Sequence, residues 1–406
     1  MSLFLNGKQF GRIIPPLLGV GLSAVFASLA VSFLAKSHLD SLGAFGVYRQ
    51  FLQFCSVFLH CGGGASLIEF FSISENDRRI GVAFNYHILS WLILSFISIV
   101  FGGSLSELVF GDVNSLNYAR LPLLFFIITI LGFVRGVLVA KRKVILGSVL
   151  QFLPYLFILI CLSLNLFEDD WISEVFLFSY SLSLLFALII SWRCLKGEYL
   201  VFERDFNFEK TSFSVGGGLI FFLGSTLIVK SYVYRIISAT ESGVLESMLS
   251  LVVNMTLVAS MMLSYFYLPV IMRSRSILDV KRYLKYYLLF LWLLLFFLAL
   301  ISYPYLELFV GISFFKNIYV FSVLCFAEVF RALSIFISLT LISFGFKVLY
   351  FITDIIWGAG VILLVFLINP TDLISVSYCF FIASSLQLVS TGCVYLQVKR
   401  KIGFST

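Results

Sequence analysis

Charge in this chain is confined largely to short stretches between long apolar runs, and its sign alternates from one stretch to the next. Lys8 and Arg12 precede the first run, and the next basic sets are Arg78–Arg79 and Lys141–Arg142–Lys143. Arg193, Lys196, Arg204 and Lys210 follow, then Arg273, Arg275, Lys281, Arg282 and Lys285, then Lys347, and last Lys399–Arg400–Lys401. The intervening connectors carry mostly acid: Asp40; Glu107 and Asp112; Glu168, Asp169, Asp170 and Glu174; Glu241; Glu307; Asp372. Of the 28 Lys and Arg, twenty fall in the first set of connectors, Lys36 and Lys316 in the second, and six inside apolar runs. Lys and Arg are retained on the cytoplasmic face of a membrane, so the alternation predicts a polytopic protein and its orientation together. Both termini are expected in the cytoplasm.

The apolar runs explain the composition. Hydrophobic residues make up 61% of the chain and charged residues 12%, against roughly 25% charged in soluble domains. One soluble core could not hide so much apolar surface, whereas about 20 apolar residues in a helix span a bilayer. The net charge of +7 sits in the expected cytoplasmic loops, where contact with anionic lipid accounts for it without nucleic acid. Seven cysteines without a CxxC pair, and three scattered histidines (His38, His60, His87), indicate neither a disulfide framework nor a metal site. No cleavable signal is apparent after Arg12.

The expected fold class is all-α, with about twelve spans at 12–36, 43–72, 80–104, 116–140, 144–166, 171–195, 213–238, 242–271, 283–303, 317–343, 348–368 and 373–397. In lipid an open chain can satisfy its backbone only as helix. The longest polar stretch lies between spans six and seven. It divides the chain into a six-helix bundle at 1–196, a cytoplasmic linker at 197–212 and a second six-helix bundle at 213–406, an arrangement typical of transporters built from two halves. A weak internal repeat supports the division. Gly43-Ala-Phe-Gly-Val-Tyr-Arg49 opens span two and Thr240-Glu-Ser-Gly-Val-Leu-Glu246 opens span eight, each with Gly-Val followed two residues later by a charge. Glycine triplets at 62–64 and 216–218 suit either close helix packing or a bend point. Pro15–Pro16 belong to a helix start, where missing amide donors cost least.

Ionisable residues inside spans are expensive and therefore candidate functional groups. The cations are Arg49, Arg120, Arg135, Lys230, Arg235 and Arg331, and the anions Glu69, Glu246, Glu328 and Asp354. At a rise of about 1.5 Å per residue, Arg331 and Glu328 fall near the midplane, Lys230 roughly 12 Å and Arg49 roughly 9 Å inside their ends. Glu328 and Arg331, three apart, can pair on one helix. Arg120, Arg135, Glu69 and Glu246 lie near enough to interfaces to snorkel. Cations outnumber anions, and the deeper ones come from both halves. Such a set facing one water-filled cavity suits an anionic passenger, since guanidinium groups match phosphate oxygens. The candidate substrate contacts are Arg49, Lys230, Arg331, Arg235 and Arg135; Glu246, Glu328, Asp354 and Glu69 are candidates for gating or coupling. Arg49 and Glu246, matched by the repeat, are expected to form an outer gate if they pair.

Leu42-Gly-Ala-Phe-Gly-Val-Tyr-Arg-Gln50, running into His60-Cys-Gly-Gly-Gly-Ala-Ser-Leu-Ile-Glu69, resembles the polysaccharide repeat-unit flippases, the O-antigen translocases of the multidrug/oligosaccharidyl-lipid/polysaccharide exporter (MOP) superfamily. Phe133-Val-Arg-Gly136 before Lys141 is similar to that family's fourth-span ending. The resemblance extends to length, span count and six-plus-six layout. It implies two bundles around a cationic cavity, alternating access, and an undecaprenyl-pyrophosphate-linked glycan carried outward across the bacterial inner membrane. It also implies membrane lipids, a polysaccharide polymerase and a chain-length regulator as partners, with no nucleic acid, no cofactor and no enzymatic activity. Two alternatives stand beside it. A drug or cation antiporter of the same superfamily would carry a mid-membrane carboxylate on an early span, and span one has no acid. A polymerase or O-antigen ligase would carry a large periplasmic loop, and the acidic connectors here are short. No Walker-type phosphate loop is present, so energy is expected from an ion gradient or from the passenger's own gradient.

Overall fold

The computed structural model describes residues 7–37, 39–60, 77–112, 116–141, 143–164, 166, 171–192, 206–263, 267, 271, 277–344 and 346–401. Among these there is no strand. Twelve α-helices run in chain order: α1 Gly7–Ser37, α2 Leu39–Leu59, α3 Asp77–Phe110, α4 Leu121–Ala140, α5 Val144–Ser163 and α6 Trp171–Ser191. They continue as α7 Phe206–Tyr232, α8 Ala239–Met262, α9 Ile277–Tyr303, α10 Phe314–Ser343, α11 Lys347–Ile368 and α12 Leu373–Lys401. Each answers to one expected span. Nine of them are long and apolar enough to cross a membrane by length and composition among the described residues.

Where the helices begin and end is set by local chemistry. Pro122, in the first turn of α4, starts that helix later than the apolar run suggests, leaving Arg120 outside it as the capping residue. The α7 helix begins at Phe206, inside the stretch read as linker, and this extension is tied down by the Tyr86 hydroxyl of α3, which donates to Glu209 at 2.7 Å. Pro154 is accommodated within α5. Asn369, in left-handed conformation at φ 48°, stops α11 ahead of Pro370. Asp372 then opens α12 by accepting from the Ser375 amide at 2.8 Å, a bond that also holds its carboxyl below the ordinary carboxylate range.

By packing, the chain forms two compact units, Met1–Leu34 with Ala44–Leu223 and Ala35–Gly43 with Gly224–Thr406. In the first, α4 packs on α3, α5 and α6, and α5 on α6. In the second, α10 packs on α9, α11 and α12, and α11 on α12. The neighbours of α3 to α6 thus recur at α9 to α12, six helices later. The core of the first unit centres on Leu131, Val134, Leu138, Leu150, Leu153 and Ala187. In the second unit Ala259, Leu263, Tyr287, Leu291, Ala332 and Phe336 join α8, α9 and α10. The third helix of each half turns an apolar stripe outward. On α3 this is Leu89, Leu92, Ile93, Phe96, Ile99 and Val100; on α9 it is Leu289, Trp292, Leu293, Phe296, Phe297 and Leu300. Both stripes keep the three- and four-residue spacing of one helical face. An exposed apolar stripe of this length suits lipid and not water.

Gly216–Gly218 lie within the continuous helix α7. Gly62–Gly64 and Glu69 lie outside the described residues.

Candidate functional site

The charged residues inside the second unit are engaged with one another. Helices α7 and α8 form a hairpin whose joint is Ser238, a single extended residue (φ −173°, ψ 158°) that caps α8 by accepting from the Glu241 amide at 3.0 Å. Lys230 and Glu246 lie equally far from this joint, one on each arm, roughly 12 Å along their helices. The hairpin therefore sets them at one height, and Lys230 Nζ donates to Glu246 Oε2 at 2.7 Å. Both side chains are buried, at 6% and 1% exposure. Arg235 sits in the widened turn Val233–Ile237 that ends α7, with its side chain exposed.

A second network links α8, α10, α11 and α12. Glu328 and Arg331 pair on α10, with Nη1 at 3.2 Å from Oε1 and 3.4 Å from Oε2. Thr256 of α8 donates its hydroxyl to the same carboxylate. The Arg331 guanidinium lies over the ring of Trp357 on α11, 5.2 Å from its centroid, an arrangement favoured by the ring's negative face. Trp357 is itself fixed by donating Nε1–H to Ser384 of α12 at 3.0 Å. Asp354 is one turn before Trp357, within electrostatic reach of Arg331, and Gln387 of α12 directs its amide Nε2 to Asp354 Oδ1 at 3.5 Å. Four helices thus converge on one guanidinium.

The start of α2 packs with this same unit. A side chain at Gly43 would collide with the carbonyl of Ala239, and one at Gly243 with the carbonyl of Leu39. Thr240 donates to Asp40 at 2.5 Å beside this contact. Leu39 thus meets Gly243 as Ala239 meets Gly43, a reciprocal crossing of the kind that two-fold-related elements make. The sequence repeat aligns Gly243 with Gly46, three residues further along α2. The contact selects Gly43, just under one helical turn away.

In the first unit Arg49 is half-buried on α2, within electrostatic reach of Tyr180 on α6. It stands beside an aromatic cluster in which Phe176 meets Phe45 and Tyr48, each at 5.2 Å between ring centroids. Gln50 donates to the Leu223 carbonyl at 3.2 Å. Arg135 is exposed on α4 and donates to Gln151 at 2.8 Å. Arg120, freed from the helix by Pro122, pairs with Glu174 at 2.5 Å with both side chains partly exposed.

The structure therefore brings together Lys230 with Glu246, and Arg331 with Glu328 and Asp354. Arg49 belongs to the first unit, and Glu246, read from the sequence as its gate partner, accepts from Lys230 on its own hairpin. Thr256, Trp357 and Gln387 carry no charge, so a pattern of ionisable residues does not single them out. Their only sequence signal is that Trp357 and Gln387 follow a carboxylate or hydroxyl by three residues. The equal spacing of Lys230 and Glu246 from Ser238 was a readable signal for their pairing. Two of the scattered histidines also meet. His60 and His87 lie 6.4 Å apart between ring centroids, each bonded to a backbone carbonyl, Ile128 at 3.0 Å and Ala83 at 2.7 Å. No group of three metal-ligating side chains occurs among the described residues.

No family model matches the chain, and no curated protein sequence matches it. Solved structures do. The lipid II flippase MurJ in an inward closed conformation superposes with a TM-score of 0.75 at 17% identity, over 94% of this chain and 87% of that one. An inward-facing multidrug resistance MATE family transporter of the MOP superfamily gives 0.71 at 16%, over 97% and 99%. A MOP superfamily transporter from Pyrococcus furiosus gives 0.63 at 16%, over 97% and 96%. The chain has the polytopic all-α fold of these transporters.

Proposed function

We propose that the chain is a flippase that carries an undecaprenyl-pyrophosphate-linked oligosaccharide outward across the bacterial inner membrane by alternating access. Both termini would be cytoplasmic. The observation that carries the reading is Arg331, a guanidinium held in the middle of an apolar helix by Glu328 and Trp357, in a fold that MurJ shares. A planar fork presented from such a bed matches a pyrophosphate oxygen pair better than an ammonium would. Arg49, on α2, is the cation proposed for the first half. Lys230 would reach the passenger by exchanging Glu246, as Arg331 would by exchanging Glu328. Arg135 and Arg235, exposed on their helices, suit entry and exit. Residues 1–196 and 213–406 would form the two moving bundles. Membrane lipids and the enzymes that make and polymerise the glycan are the expected partners.

The test is direct. Purified protein in liposomes receives a fluorescent undecaprenyl-pyrophosphate oligosaccharide, and an impermeant reagent reports how much has crossed. Translocation is expected to exceed that of protein-free vesicles and to be lost in Arg49→Ala and Arg331→Ala. Transport of an organic cation dye with no movement of the glycan-lipid would replace this reading by the antiporter.

A further inference from the structure

We infer that Asp354, with Gln387 against it, is a proton-binding site within the second unit. Three formal charges meet there. Glu328 and Asp354 are anions and Arg331 is the cation that pairs with the first and acts on the second, so among these described groups the ionised set carries a net negative charge inside apolar helices. Unbalanced charge at such a place is costly, and one proton removes it.

The contacts decide which carboxylate takes the proton. Glu328 accepts from the Arg331 guanidinium through both oxygens and from the Thr256 hydroxyl. Asp354 receives the Gln387 amide at 3.5 Å, at the long end for a hydrogen bond. It is the less well served of the two, so the proton goes to Asp354.

Gln387 is built for both states. Its side chain is 2% exposed, and its Oε1 has no hydrogen-bond partner among the described residues. A buried carbonyl without a donor carries a penalty. When Asp354 is ionised it can only accept, and the amide N–H faces it. When Asp354 is protonated it offers an O–H, and a turn of the amide brings Oε1 to receive it. The same residue thereby satisfies the site before and after proton uptake.

A metal ion fits less well. The site offers the two oxygens of Asp354 and one of Gln387, within the electrostatic reach of a guanidinium. The nearby hydroxyls of Thr353 and Ser338 are bonded to each other at 3.1 Å. Among the described residues the charged group that acts on Asp354 is Arg331 on α10, itself paired with Glu328, while α12 contributes the Gln387 amide and α8 reaches the set through Thr256 and Glu328. The step is a simple transfer: a hydronium ion gives its proton to Asp354 Oδ and leaves as water, and release is the reverse. With Asp354 neutral, the guanidinium of Arg331 answers to Glu328 alone. Proton occupancy then sets how many anions compete for the group assigned to the passenger.

Infrared difference spectroscopy of the whole protein in nanodiscs, titrated in pH without any glycan-lipid, tests the site independently of the transport reading. A protonated-carboxyl band should grow as pH falls and be missing in the isosteric Asp354→Asn. Arg331→Gln removes the cation and should move the midpoint up by about one pH unit or more, a tenfold change in proton affinity. Glu328→Gln removes the competing anion and should move it down. Persistence of the band in Asp354→Asn, or midpoints indifferent to both neighbours, would overturn the assignment. Loss of the band on exchanging potassium for sodium at fixed pH would overturn it in favour of a sodium site. Failure of glycan transport with the titration intact would leave the proton site standing and remove the cargo.

Discussion

The ammonium of Lys230 and the carboxylate of Glu246 meet at 2.7 Å with almost no exposure to solvent, on the two arms of one helical hairpin. Such a pair is weak evidence for stability as a pair, because both ions have left water. Breaking it is another matter, since the survivor is then a buried lone charge, at a cost of roughly 3–5 kcal/mol. Lys230→Met and Glu246→Leu should each lower the melting temperature of the purified protein and its abundance in membranes. The double variant Lys230→Met/Glu246→Leu should recover most of both. If the two single losses simply add in the double, the residues do not act as a pair. Should the recovered double variant also fail to move the glycan-lipid, the pair has a transport role beyond folding.

Gly43 and Gly243 give a second, sharper test, because their collisions would be with backbone and not with side chains that can move aside. Gly43→Ala and Gly243→Ala are each expected to destabilise the protein and abolish transport. Gly392, inside α12 with open space around it, is the control. Alanine there should be neutral or stabilising by up to about 1 kcal/mol, the helix-propensity difference. A tolerated alanine at both Gly43 and Gly243 would show that the close crossing is absent in the membrane.

Topology follows from charge alone. Single cysteines placed at Asp112 and Asp169 should react with an impermeant thiol reagent added to intact cells, and those at Arg204 and Lys281 only after permeabilisation. The expectation rests on the distribution of Lys and Arg between connectors. Labelling of Arg204→Cys from outside would overturn the orientation and the proposed direction of transport.

Twelve helices could be read from the sequence because lipid permits little else and because each apolar run is bounded by charge. Their ends were less legible where a single residue decides them: Pro122 delays α4, and Tyr86, distant in sequence, extends α7 back to Phe206 through Glu209. The neighbours of the candidate charges were legible where they are local, as for Glu328 and Arg331, or equally spaced about a helical joint, as for Lys230 and Glu246. Thr256, Trp357, Ser384 and Gln387 come to Arg331 and Asp354 from three other helices, and nothing in linear order announces such a meeting. The repeat matches Gly243 with Gly46, whereas the close crossing pairs Gly243 with Leu39 and Gly43 with Ala239, because a match of a few residues does not fix register.

Arg331 is where the fold and the proposed cargo are most directly joined, and its neighbours allow charge and geometry to be separated. Arg331→Lys keeps the charge beside Glu328 but loses the planar fork and much of the stacking on Trp357. Trp357→Phe keeps the guanidinium and a ring beneath it but weakens the cation–π contact, worth roughly 0.5–2 kcal/mol, and removes the Nε1–H that bonds Ser384. If a pyrophosphate binds the fork, Arg331→Lys should raise the glycan-lipid concentration needed for half-maximal transport by about tenfold, the equivalent of one lost charge-assisted bond. Trp357→Phe should have a smaller effect in the same direction, since it loosens the group without removing it. Melting temperatures measured on the same preparations separate a damaged fold from a damaged contact. Equal half-saturation in wild type and Arg331→Lys, with Arg331→Ala inactive, would show that only the charge matters. The guanidinium would then act by its field and not by direct contact with the passenger.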